Sequence, residues 1–166
     1  MNFAKINDIS IHFNYINNGV NKPTVVFSNS LGTDFRIWES CVENLSNDYS
    51  ILTYDKRGHG LSGLGNSPYV IHDHVADLID LMDHLKISEA VLVGLSVGGL
   101  IVQGVYHKRP DLVQGLILCD TAAKIGNEQM WNDRIAIARE GGLEALLEGN
   151  MQRWFSPNFH KNRQVD

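Results

Sequence analysis

The chain has 166 residues, 43% hydrophobic and 20% charged, with a formal net charge of −5. That is enough for one domain with a real core, too little for two comfortable ones, and too apolar for a disordered chain. The acidic balance excludes a phosphate-tracking nucleic-acid binder, which would want clustered Lys and Arg; the one basic run, His107-Lys108-Arg109-Pro110, reads as a helix C-terminus and its stop.

The first strands alternate: Phe3–Ile6 leads to Ile9–Ile16, which ends at the turn signal Asn17-Asn18-Gly19. Pro23–Ser30 is a short apolar run and reads as a buried strand. Phe35–Ser46 repeats apolar positions at helical spacing after the cap residue Asp34. Tyr49–Asp55 is the next strand, followed by the glycine-rich loop Lys56–Gly63. The run Ser67–Ile87 carries Val70, Val75, Leu78, Ile79, Met82 and Leu85 on one helical stripe, with Ser67 expected as cap and Pro68 in the first turn. Ala90–Gly94 is a strand, Val97–Pro110 a helix closed by its proline, and Val113–Asp120 one more strand.

This regular alternation implies a parallel sheet with helices on its faces. From about Asn127 to Phe155 the chain reads as helix, broken at Gly141-Gly142, and it closes on an irregular tail from Asn158. Cys41 and Cys119 have no CxxC spacing, so neither a disulfide framework nor a metal site is expected; Cys119 reads as a small buried hydrophobe. The N-terminus has no uninterrupted apolar stretch, and no run approaches ~18 apolar residues, so a soluble cytoplasmic protein without membrane contact is the expectation.

Gly94-Leu95-Ser96-Val97-Gly98 carries the chemistry. It sits where a strand ends and a helix begins, the site a nucleophile elbow requires. Glycines two before and two after the serine let the backbone turn sharply while helix and strand pack closely, which forces Ser96 outward at the sheet's C-terminal edge. The competing reading is a serine that only caps its helix. An acyl-transfer serine also needs donors for the developing oxyanion. One is the N–H of Val97; the other is expected from the loop Ser28–Gly32, at Leu31.

The runs "VVFSNSLGTDFRIWE", "YDKRGHGLS" and "VGLSVGGLIVQG" together resemble the α/β-hydrolase superfamily. "CDTAAKIG" and "RIAIAREGGLEALLEGNMQRWFSP" are similar more narrowly to the 3-oxoadipate enol-lactonase family of aromatic-compound breakdown. The resemblance covers essentially the whole chain. It implies an α/β-hydrolase fold with an antiparallel N-terminal hairpin, and hydrolysis of an enol-lactone ester to 3-oxoadipate without a cofactor. It also implies a hydrolase core over 1–121 and the start of a helical cap over 122–166.

The base is harder to find. The superfamily triad runs Ser…Asp/Glu…His along the chain. After Ser96 stand only His107 and His160. His107 lies eleven residues along the same helix, roughly 16 Å away at 1.5 Å per residue. His160 is in the tail, and His59 precedes the serine in a loop, where bonding to local backbone explains it. Asp120 ends the strand after the elbow, but the resemblance puts the acid one strand later. The expectation is therefore the N-terminal portion of a longer enzyme, inactive by itself. Two further strands normally pair beyond Gly115–Cys119, so Leu116–Cys119 should be an open edge and the chain should self-associate.

A carboxylate-bearing lactone needs a local cation in an acidic protein. Trp131 and Arg134 are three apart and share a helix face, which makes Arg134 the expected carboxylate partner and Trp131 and Trp154 pocket walls. The competing reading is plain core and solvated arginine. The alternatives for function are another small-ester hydrolase or cofactor-free perhydrolase, or a non-catalytic protein using the pocket as a receptor.

Overall fold

A computed structural model describes residues 2–19 and 21–162, divided into two compact units, Met1–Ile125 and Gly126–Asp166. The first unit is a six-stranded sheet in the order β1-β2-β4-β3-β5-β6. Strands β1 (Asn2–Ile6) and β2 (Ile9–Ile16) form the antiparallel hairpin, turning at Asn7 with φ of 52°. β2 pairs antiparallel with β4 (Ser50–Tyr54), and from there the sheet is parallel through β3 (Thr24–Ser28), β5 (Ala90–Leu95) and β6 (Val113–Cys119).

The period of two along each central strand divides the core between the two faces. Leu52, Val26 and Leu92 stand in one register row and pack with Leu78, Met82, Ile101 and Val105 of the helices α2 (Ile71–His84) and α3 (Val97–Lys108). Val25, Phe27, Ile51 and Val93 face the other way, under Trp38 and Val42 from a 3-10 turn (Phe35–Trp38) and α1 (Glu39–Leu45). Both faces are covered, which is why β3, β4 and β5 are nearly continuous apolar runs. Asp34 caps the turn as expected, its carboxylate accepting the Arg36 N–H.

The stripe of α2 was legible but its start was not. Ser67 and Pro68 lie outside the helix, and Val70, with φ −115° and ψ 171°, is the residue before its first turn. Asp73, three residues on, reaches back to accept the Val70 N–H at 2.7 Å. A carboxylate at that position satisfies an orphan donor and favours the positive end of the helix dipole, so it outweighs the Ser-Pro signal upstream.

Burial of charge ties α2 to the loop after β4. The Arg57 guanidinium forks onto Asp77, Nε to Oδ2 at 2.7 Å and Nη2 to Oδ1 at 2.8 Å, and Asn7 adds a donor at 2.9 Å. Asp77 is 1% exposed. Such a pair contributes little over an apolar equivalent, yet losing one partner costs about 3–5 kcal/mol because the other charge is stranded.

In the second unit Asn127 caps α4 (Glu128–Gly141), Gly142 with φ of 73° breaks the run, and α5 (Leu147–Trp154) follows a 3-10 turn. The expected irregular tail instead opens with a short helix, α6 (Pro157–Asn162), started by its proline; 163–166 fall outside the described residues. No helix is long and apolar enough to cross a membrane among the described residues.

Candidate active site

The connections leave β3 toward β4 and leave β5 toward β6, in opposite directions. The carboxyl ends of these two neighbouring strands therefore flank a crevice, where ligands bind in open α/β sheets. Ser28 stands opposite Gly94 in the register, so the loop that carries Leu31 and the turn that carries Val97 leave the sheet from neighbouring strand ends.

Ser96 sits at that edge with φ 55° and ψ −117°. A serine is rarely held at positive φ, and such strain persists only where the surroundings enforce it. Here they are identifiable. The Ser96 N–H donates to the Cys119 carbonyl at 3.0 Å, and its own carbonyl accepts the Thr121 hydroxyl at 2.7 Å and the Gly99 N–H at 2.9 Å. A Cβ on Gly98 would collide with the Ser28 carbonyl, and one on Gly94 with the backbone of Gly98 and Gly99. The competing reading fails on geometry, since the Ser96 side chain makes no hydrogen bond to the helix it precedes. Its hydroxyl is left for something else.

Among the described residues neither the Leu31 nor the Val97 N–H has an acceptor. The loop carrying Leu31 is held from below. The Ser30 carbonyl accepts Lys56 Nζ at 2.8 Å and the Thr33 hydroxyl at 3.0 Å, and the Asn29 amide donates to the Thr33 carbonyl. Asp55 fixes the neighbouring turns with three donors: the His12 imidazole at 2.8 Å, the Phe35 N–H at 2.9 Å and the Leu61 N–H at 3.0 Å. A cleft of about 620 Å³ opens beside His12, Phe35, Arg36 and Leu61. Ser96 does not line it; Asp55 does, with its carboxylate already engaged by those three donors.

Lys56 is 1% exposed. Burial, only partly countered by Asp55, pulls its ammonium down to about 7. Two histidines share its surroundings. His59 is lowered by burial and then by the Lys56 charge, and His74 is lowered by the same causes to about 4. Neither Lys56 nor His74 stood out in the sequence. The available signal was the triplet Asp55-Lys56-Arg57 directly after an apolar strand, three charges where the fold buries the chain.

Of the histidines weighed from the sequence, His59 makes the local backbone contact expected of it, and His160 stands on α6 rather than in an irregular tail. His59 Nδ1 lies 3.0 Å from the Arg57 carbonyl, a local contact. His107 is exposed on α3. His160 Nε2 is engaged on the Met151 carbonyl at 2.9 Å within the second unit. Asp120 has φ of 41° and is exposed; Cys119 and Thr121 on either side of it are the residues that grip Ser96.

On α4, Trp131 and Arg134 are both half-buried. Arg134 Nη2 donates to Asn150 Oδ1 at 2.9 Å, where Arg153 also bonds, and burial and then Arg153 lower its guanidinium. Its described partner is thus a neutral amide, not a carboxylate. Trp154 is 43% exposed on α5.

A model of the alpha/beta hydrolase fold matches residues 23–163. The chain belongs to the α/β-hydrolase family. Within that family it is 38% identical over 150 residues to 3-oxoadipate enol-lactonase 2 of Acinetobacter baylyi, covering 90% of this chain and 56% of the relative. The (E)-2-((N-methylformamido)methylene)succinate hydrolase of the same organism is 29% identical, over 85% of this chain and 53% of its own. The crystal structure of the enol-lactonase from Burkholderia xenovorans LB400 superimposes with a TM-score of 0.94 at 37% identity, covering 99% of this chain and 64% of that one. This hydrolase chain thus spans about half the length of the curated relatives it matches.

Proposed function

We propose that Ser96 is the nucleophile of a carboxylic-ester hydrolase whose substrate is an enol-lactone bearing a carboxylate, of the 3-oxoadipate type. The observation that carries this reading is the enforced positive φ of Ser96 on a strand-to-helix turn, with its hydroxyl free of the helix cap. Ser96 Oγ attacks the lactone carbonyl, and the oxyanion is received by the N–H groups of Val97 and Leu31. Collapse opens the ring and expels the enolate oxygen, which is protonated and becomes the ketone; water then releases the second carboxylate from Ser96. No step calls for a cofactor. The likeness to enol-lactonases supports the substrate class and a role in the breakdown of aromatic compounds by the β-ketoadipate route; a cytoplasmic location is part of the same proposal. Residues 1–121 would be the hydrolase core and 122–166 the start of a helical cap.

The general base for Ser96 is none of the histidines described above, so turnover is proposed for the whole protein, and the 166-residue chain alone should hydrolyse the lactone at background rate. In the whole protein Ser96→Ala should abolish nearly all hydrolysis, followed as loss of the lactone's ultraviolet absorbance. Brisk turnover by the 166-residue chain would overturn this and return the base to His59 or His160. Arg134 is proposed to hold the substrate carboxylate, with Trp131 and Trp154 as pocket walls. Arg134→Ala should then weaken use of the charged lactone by on the order of 1.5–3 kcal/mol while sparing a neutral ester of similar size. Equal losses on both would make Arg134 structural.

A further inference from the structure

The least expected group in the molecule is the Lys56 ammonium. It is almost wholly buried, and no carboxylate lies within ion-pairing distance of it among the described residues. A lysine so placed is costly, and a buried cation without a paired anion calls for an explanation. Its single hydrogen bond supplies one. Nζ donates at 2.8 Å to the carbonyl oxygen of Ser30, and that carbonyl belongs to the same peptide unit as the Leu31 N–H. The unit is trans, so its C=O and N–H point in opposite directions. With the oxygen gripped by Lys56 on one lone pair and by the Thr33 hydroxyl on the other, the plane of the peptide is fixed and the N–H is turned away from the core, without an acceptor of its own.

We propose that Lys56 is a positioning residue for ester hydrolysis, aiming and polarising the Leu31 N–H at the oxyanion through the Ser30 carbonyl. The inference rests on the assignment of Leu31 as an oxyanion donor. A hydrogen bond accepted by the carbonyl draws electron density along the peptide and makes the opposite N–H a stronger donor, and a charged donor does so more than a neutral one. The polarisation therefore depends on the protonation of Lys56. The groups that surround it are Asp55 beside it in sequence, His59 in the same loop, His74 from α2, and the closed Arg57–Asp77 pair behind.

The test is a pH titration of the 15N-labelled 166-residue chain by NMR, observing the Leu31 amide and Lys56 Nζ together. Both should move with one shared midpoint, near the value of about 7 to which burial lowers Lys56. The Leu31 transition should vanish in Lys56→Met, an apolar replacement of similar length, and survive in His59→Gln and His74→Gln. A Leu31 amide that does not move, that moves with a midpoint different from that of Nζ, or that still titrates in Lys56→Met overturns the proposal. Because the wild-type comparison alone can overturn it, a misfolded variant would not leave the question open. In the whole protein, Lys56→Met should lower kcat about tenfold with KM nearly unchanged, less than the 10²–10³-fold lost when an oxyanion donor is removed outright; an unchanged kcat overturns the catalytic role. Failure of the hydrolase reading would show separately, as activity that survives Ser96→Ala while the amide titration persists.

Discussion

Lys56 and His74 are both held with their protons less tightly bound in the folded chain than in the unfolded one, and this sets how stability follows pH. His74 falls from 6.5 to about 4. Between those values the unfolded chain binds more protons, so stability rises with pH across that window, is fully present above 6.5 and is lost on acidification toward 4. His74 is only half-buried, so its share is discounted for solvent screening to at most about 2 kcal/mol. Lys56 falls from 10.5 to about 7. Its penalty is complete below 7, where the amine is charged in both states, and is relieved as pH rises from 7 toward 10.5. The expected result by calorimetry is a Tm that climbs from pH 4 to 6.5 and again above 7. His74→Gln should flatten the first rise and Lys56→Met the second, with Lys56→Met stabilising the chain most below pH 7. A Tm profile for Lys56→Met parallel to wild type would mean the lysine is hydrated rather than buried.

At the scale of elements, the elbow is a contact between the start of α3 and the end of β3. Gly98 lies against the Ser28 carbonyl with no space for a methyl group, and backbone cannot move aside as a side-chain tip can. Gly98→Ala should cost about 3 kcal/mol and separate the N–H groups of Leu31 and Val97. At Gly149, on α5, a methyl group would meet nothing within 4 Å; there the same substitution should be neutral or stabilise by up to about 1 kcal/mol through helix propensity. Urea unfolding of the two variants is the measurement. Similar midpoints would show that α3 can slide relative to β3. The expected start of α2 at Ser67 failed for a related reason: a cap is decided by which carboxylate or hydroxyl can reach the free N–H, and Asp73 reaches that of Val70.

At the scale of the molecule the sheet has two different edges. Among the described residues β1 and β6 each pair on one side only, β1 with its hairpin partner β2 and β6 with β5, and what sets β6 apart is its apolar character. Ile117 and Leu118 are 51% and 47% exposed, one on each face of that strand. An open, apolar edge is a template for another strand. We propose that the 166-residue chain self-associates through β6, as a dimer or larger assembly. Sedimentation at micromolar concentration should show this, and Ile117→Lys should shift the chain toward monomer. A wild-type chain that sediments as a compact monomer would rule it out.

Periodicity and turn chemistry, both local properties, determined a great deal: all six strands, the apolar stripe of α2, the extent of α3 up to its closing proline, the break at Gly142, and Ser96 at a strand-to-helix turn. Each is fixed by residues within one turn or one pleat of each other, so a linear reading can find them. What holds Ser96 in its strained conformation was not legible, because Cys119 and Thr121 come to it from the next strand, more than twenty residues away. The role of Lys56 was hidden for the same reason. In the sequence it is one charge in a charged loop. Only the pairing of β3 beside β4 brings its ammonium under the Ser30 carbonyl, 26 residues earlier, and only burial gives that contact its electrostatic weight.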